Sequence, residues 1–223
     1  MVAKTMALET VEMDAADADA AVIWLHGLGA DGYDFQPIAA QLGLPVTRFV
    51  FPHAPHRPIT LNGGAVMRGW YDIQSLDADA PQDAAGIGDS AALVRRCIEA
   101  ELARGIAARR VVLAGFSQGG ALALHTALRF DRPLAGVLAL STYLPLASEL
   151  AVARHAANQS TPIFMAHGHD DEVILPHYAQ ASAQALRAHG YTVTWRDYPM
   201  PHTVCPEQID DLRDFLRRVL GHA

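Results

Sequence analysis

Between residues 111 and 124 the chain reads Val111-Val112-Leu113-Ala114-Gly115-Phe116-Ser117-Gln118-Gly119-Gly120-Ala121-Leu122-Ala123-Leu124, a β-rich apolar run, a G-x-S-x-G turn and an apolar helical run. That order predicts a strand–turn–helix with Ser117 at the apex of a sharp bend and its Oγ above the end of a sheet, a nucleophile elbow. Glycine at 115 and 119 leaves no Cβ between strand and helix, and Gly120 removes one more side chain from their crossing. The competing reading makes Ser117 a helix N-cap, its hydroxyl spent on an N–H of the first turn. Two glycines at the elbow spacing, and reactive partners in the required chain order, favour the catalytic reading.

The rest of the chain suits a fold that can hold such an elbow. Short β-rich runs occur at Ala21–Leu25, Val46–Phe51, Val111–Ala114, Gly136–Leu140, Pro162–Ala166 and Thr192–Trp195, and helical periodicity at 33–42, 83–104, 118–130, 147–157, 175–189 and 206–220. This alternation predicts an α/β fold, a mainly parallel sheet with helices on both faces. In 206–220, Ile209, Leu212, Leu216, Val219 and Leu220 recur at helical spacing, with Asp and Arg on the other face. Met6–Met13 alternates weakly and is expected to add an antiparallel edge strand. From Pro52 to Gln74, prolines and glycines interspersed with Leu61, Met67, Trp70 and Tyr71 predict a long excursion over the top of the sheet. Leu61, Met67 and Trp70 either line an apolar substrate pocket there or pack the excursion against itself.

Length and composition narrow the class. The 223 residues, 51% hydrophobic, fit one domain spanning 1–223. A formal net charge of −7 argues against nucleic acid or an anionic membrane surface as the main partner. Cys97 and Cys205 cannot build a disulfide framework. With no signal-peptide pattern at the start and no run long enough to span a bilayer, a cytoplasmic protein is expected.

A serine hydroxyl needs a base, and the base a carboxylate; beside an elbow these follow in the order Ser, acid, His, each after a later strand. After the run ending at Ala166 comes His167-Gly168-His169-Asp170-Asp171-Glu172, in which Asp171 is the chosen acid while Asp170 and Glu172 compete at near-equal spacing. After the last β-rich run comes Pro199-Met200-Pro201-His202, and of eleven histidines only His202 follows that strand. Trp24-Leu25-His26-Gly27-Leu28-Gly29 lacks the lysine and spacing of a phosphate loop. It fits an oxyanion hole in which the N–H groups of Leu28 and Gln118 face the developing charge, with His26 bracing the loop. A rival reading takes His167-Gly168-His169-Asp170-Asp171 as the H-x-H-x-D run of a binuclear metal site, although Glu172 follows where such sites continue with histidine. A catalytically silent binding protein finds no support, since every expected reactive group is present.

With these residues in hand, the chain resembles the small carboxylesterase and acyl-protein thioesterase family, the phospholipase/carboxylesterase family of α/β-hydrolases. The likeness runs through Trp24–Asp34, Phe51–Pro55, Gly69–Asp72, Gly115–Gly120, Leu140–Pro145, His167–Val173 and Tyr198–Val204. It implies an α/β-hydrolase fold without a large lid domain and a serine esterase acting through an acyl-enzyme. Position by position it implies Ser117 as nucleophile, Asp171 as acid, His202 as base, and Leu28 with Gln118 as oxyanion donors. It further implies no metal or cofactor, a small-molecule or lipid ester or an acylated protein as substrate, and a tendency to dimerise. The bacterial-type members favour small or medium acyl esters, and the alternative branch acts on long acyl chains as acyl-protein thioesterase or lysophospholipase. Pro201 departs from the glycine that the family places before its catalytic histidine, which predicts a stiffer loop.

Overall fold

A computed structural model describes residues 7–75, 77 and 80–221. In chain order its elements are β1 (Thr10–Met13), β2 (Ala20–Leu25), α1 (Gln36–Gln41), β3 (Thr47–Pro52), β4 (His56–Ile59), β5 (Ala65–Arg68), α2 (Ala84–Ala103), β6 (Val111–Phe116), α3 (Gln118–Leu128), β7 (Gly136–Leu140), α4 (Leu150–Ala153), β8 (Ile163–Gly168), α5 (Pro176–Ala188), β9 (Val193–Tyr198) and α6 (Pro206–Leu220). The seven-stranded sheet has the order β1-β3-β2-β6-β7-β8-β9. Every pairing in it is parallel except β1 with β3. Strands β2, β6 and β7 are apolar on both faces because both faces are covered.

Two cores result. One packs α2, α3 and α5 against one side through residues such as Ile87, Val94, Leu122 and Leu186. The other packs α1 and α6 against the opposite side through Ala39, Leu212, Phe215 and Leu216. Each Val, Ile, Leu or Phe among them contributes roughly 1.5–3 kcal/mol on burial. Parallel register then gathers the functional loops: Leu25 is opposite Gly115, Phe116 opposite Leu140, and Gly168 opposite Tyr198. The loops after β2, β6, β7, β8 and β9 therefore leave from one rim of the sheet, where open α/β sheets bind ligands.

The elements differ from the sequence reading where local periodicity is weak. The edge strand starts at Thr10, and Met6 lies outside the described residues. The helix expected at 33–42 starts at Gln36, because Asp31 Oδ1 accepts the Tyr33 N–H in a turn and Pro37 suits a first helical turn. The helix expected at 147–157 is broken into 3₁₀ turns at 147–149 and 156–158 around the short α4, with Arg154 extended between them. The excursion is more ordered than expected: β4 and β5 form an antiparallel hairpin, Ile59 opposite Ala65. Strand β8 continues to Gly168, so His167 belongs to a strand and not to the loop after it. Among the described residues, no helix is long and apolar enough to cross a membrane.

Candidate active site

Ser117 joins β6 to α3 with φ 53° and ψ −122°, a conformation that costs a non-glycine residue on the order of 1–3 kcal/mol. Backbone bonds hold it there. Its N–H donates to Leu140 O at 2.8 Å, and its carbonyl accepts from Thr142 Oγ1 at 2.7 Å and from the Ala121 N–H at 3.1 Å. The flanking glycines make the bend possible: a Cβ on Gly115 would sit 2.3 Å from the Gly119 carbonyl, and one on Gly119 would sit 2.3 Å from Leu25 O. Although Ser117 occupies the N-cap position, its side chain makes no capping hydrogen bond. A capping hydroxyl is spent on the helix backbone, and this one is not.

Of the three adjacent acids, Asp170 and Glu172 are exposed, whereas Asp171 is 2% exposed in the loop after β8. Its Oδ1 accepts the N–H groups of Val173 and Ile174, each at 2.9 Å, and its Oδ2 lies 2.7 Å from His202 Nδ1. Burial alone would push the carboxyl's pKa up. Hydrogen bonds from His167, His202 and the Ile174 amide outweigh that and hold it well below the usual carboxylate range. The His202 ring lies over Phe116, centroids 4.7 Å apart, which seats it beside the elbow.

The loop after β2 is pinned from several sides. His26 Nε2 accepts the Ala54 N–H at 3.0 Å, so its proton sits on Nδ1 and is donated to Gly27 O at 2.7 Å. Burial lowers the His26 pKa to about 4, which suits a brace rather than a proton carrier. Gly29 N–H donates to Arg68 O at 2.8 Å, tying the loop to the hairpin. Gln118 opens α3, where a first-turn N–H has no intrahelical acceptor. Its side chain clamps the excursion, Oε1 accepting the Trp70 N–H at 2.8 Å and Nε2 donating to Tyr71 O at 2.7 Å.

Ser117, His202, Leu28 and Gln118 line one cavity of about 580 Å³, with Asp171 buried behind His202. Leu61 lines it too. Trp70 and Met67 do not: Trp70 is fully buried with its indole N–H donating to His26 O at 2.9 Å, and Met67 Sδ lies 3.3 Å from Asn62 Nδ2 within the excursion. Their places in the wall are taken by Ile73, Val173, Ile174 and Tyr178, and by Tyr71 and Tyr143, whose hydroxyls meet at 3.0 Å. The sequence reading gave Tyr71 and Tyr143 no role. Both stand in the runs that carry the family resemblance, and that was the available signal. His167 and His169 are turned to different partners, His167 towards Asp171 and Ile174, and His169 to Asp197 at 2.6 Å. The H-x-H-x-D run therefore converges on no common point, and no group of three or more ligating side chains is arranged for a metal ion among the described residues.

Comparison with known proteins agrees with this architecture. A family model described as phospholipase/carboxylesterase matches residues 6–220. Acyl-protein thioesterase 1 of Neurospora crassa is 41% identical over 209 residues, 88% of this chain and 85% of the relative. Acyl-protein thioesterase 1 of Gibberella zeae is 37% identical over 218 residues, 92% and 93% of the two chains. The crystal structure of Zea mays acyl-protein thioesterase 2 superposes with a TM-score of 0.88 at 32% identity, covering 96% of this chain and all of that one.

Proposed function

The chain belongs to the phospholipase/carboxylesterase family, and on that premise we propose that it cleaves carboxylic esters and thioesters through an acyl-enzyme on Ser117. One observation carries the assignment of roles: the 2.7 Å contact between Asp171 Oδ2 and His202 Nδ1, at the wall of the cavity that also holds the elbow serine. A carboxylate only accepts, so the bond puts the proton of the neutral ring on Nδ1 and leaves the Nε2 lone pair for the hydroxyl. Ser117 Oγ loses its proton to Nε2 as it attacks the carbonyl carbon. The N–H groups of Leu28 and Gln118 stabilise the oxyanion. His202 returns the proton to the departing alcohol or thiol, and water repeats the sequence to free the acid.

The apolar wall of Leu61, Ile73, Val173 and Ile174 suits an acyl chain. The name carried by the curated relatives, acyl-protein thioesterase 1, supports acylated protein cysteines as substrates beside small carboxylic esters. We place the activity in a reducing, cytoplasmic setting, in keeping with Cys97 and Cys205 both being free thiols. A homodimer is the proposed assembly, which sedimentation velocity tests. A fluorophosphonate probe is expected to label the wild type and not Ser117→Ala, and the substitution to lower turnover on a p-nitrophenyl ester series by on the order of 10³-fold or more. Equal labelling of the two proteins refutes the reading.

A further inference from the structure

His167 makes a contact that the mechanism above does not use. It sits at the end of β8 at 1% exposure, its ring nearly parallel to that of Trp195 on β9, 6.4 Å between centroids. Nε2 lies 2.7 Å from Ile174 O, and a carbonyl only accepts, so the proton is on Nε2. Nε2 also lies 3.2 Å from Asp171 Oδ2, the oxygen that holds His202 at 2.7 Å, so the positive edge of the ring's N–H acts on that carboxylate. The other ring nitrogen, Nδ1, is buried without a hydrogen-bond partner among the described residues. The ring is therefore held by its stack on Trp195 and by one N–H, bonded to Ile174 O beside the Asp171 carboxylate.

We infer that His167 is a positioning residue for the base, sharing Asp171 Oδ2 with His202 and thereby setting how much of the carboxylate's charge the base receives. The inference rests on the assignment of Asp171 and His202 above. Three N–H groups donate to this carboxylate, those of Val173 and Ile174 to Oδ1 and that of His202 to Oδ2, and the Nε2–H edge of His167 lies 3.2 Å from the same Oδ2. Charge drawn towards His167 is charge withheld from the imidazolium that forms when His202 takes the serine proton. A base held in this way gives its proton up to the leaving group more readily.

On the elements packed against the pair, most other charged groups are engaged or turned away. On β9, Asp197 pairs with His169, and Arg196 lies 3.5 Å from Asp211 of α6. Asp170 and Glu172 on the same loop are exposed. From β6 the uncharged Phe116 ring faces His202, and at the start of α6 Cys205 interacts with Glu207. Across the cavity, Asp34 and Tyr178 share the wall with His202.

Two full-length variants test the inference. His167→Phe keeps a ring against Trp195 and removes the N–H, while His167→Gln retains an amide N–H. With Asp171 Oδ2 given wholly to His202, the acid limb of kcat/KM for p-nitrophenyl butyrate is expected to move about 0.5–1 pH unit upward in His167→Phe. His167→Gln is expected to return it towards the wild-type position. A folded His167→Phe with an unmoved limb overturns the inference. A measurement on the wild type decides the matter without any variant: in ¹H–¹⁵N spectra the His167 Nε2–H resonance should shift through the same midpoint as the acid limb, because protonation of His202 changes the shared oxygen. A resonance that stays fixed through that limb, or a proton found on Nδ1, also overturns it. Fluorophosphonate labelling separates the two claims: an unlabelled wild type sinks the assignment of Ser117, whereas a labelled enzyme with an unmoved limb sinks only the role of His167.

Discussion

Replacing Gly119 with alanine tests the elbow by inserting a single methyl group where backbone meets backbone. The new Cβ would lie 2.3 Å from Leu25 O and 2.5 Å from His26 O. Carbon contacts settle near 3.5 Å, so α3 and the end of β2 have to part by roughly 1 Å. Neither atom is the end of a movable side chain, and overpacking of this kind costs about 1–3 kcal/mol. At this chain length each kcal/mol lowers Tm by roughly 2–4 °C, which puts the expected fall on the order of 5 °C. The same 1 Å separates the two proposed oxyanion donors, since Leu28 follows the end of β2 and Gln118 precedes Gly119. A misplacement of that size costs on the order of 10²-fold in kcat. The internal control is Gly88, exposed within α2, where an added Cβ meets nothing within 4 Å. Gly88→Ala should raise stability by about 0.5–1 kcal/mol at unchanged kcat. Calorimetry and initial rates on both variants decide: a Gly119→Ala enzyme with wild-type Tm and kcat refutes the steric account of the elbow.

Two further outcomes follow from charge. Burial lowers the pKa of His26 and His125 from 6.5 to about 4, so between those pH values the unfolded chain takes up protons that the folded chain refuses. Stability should therefore fall with pH across that window, by on the order of 3 kcal/mol per histidine. Asp171, held below its ordinary range, adds a further loss only below about pH 3.8. Urea midpoints at pH 7 and 4.5 measure the histidine contribution, which His125→Phe should roughly halve; a flat midpoint contradicts it. Asp34, Asp72, Asp77 and Asp83 line the cavity, Asp83 lies 3.9 Å from Arg57, and the described lining itself contains no lysine or arginine. A p-nitrophenyl hemisuccinate should then be cleaved at least about tenfold less efficiently than the butyrate at low salt, the gap closing as salt rises. A ratio insensitive to salt speaks against this account.

Elements with strong periodicity were legible from the chain alone. Helix α6 and strand β7 occupy the residues read for them, because the apolar stripe of one and the unbroken apolar run of the other already encode their burial. The excursion was not legible as a hairpin. Pro55 and Pro58 read as breakers, and the pairing is supported by side chains that bond across the excursion, Asp72 accepting the Thr60 N–H at 2.7 Å and Arg68 donating to Ala54 O at 2.9 Å. At the site, chain order suggested serine, acid and histidine, but choosing among Asp170, Asp171 and Glu172 requires knowing how deep each side chain lies, and that depends on β8 running to Gly168. Trp70 is as compatible with a pocket wall as with packing inside the excursion on sequence alone. Its fate was decided by where the indole N–H finds an acceptor, on His26 O at the far side of the excursion, which no local pattern encodes.

The division of the interior by the sheet has a practical consequence. Ile73, Tyr143 and Tyr178, which help shape the substrate cavity, stand on the side of α2, α3 and α5, whereas Leu212, Phe215 and Leu216 anchor the opposite layer. An engineer could harden the α1–α6 layer against heat, and separately remodel selectivity from the other side, with little trade-off between the two. Phe116, which lines the cavity and also packs into the α1–α6 layer, is the point at which the two undertakings would still meet.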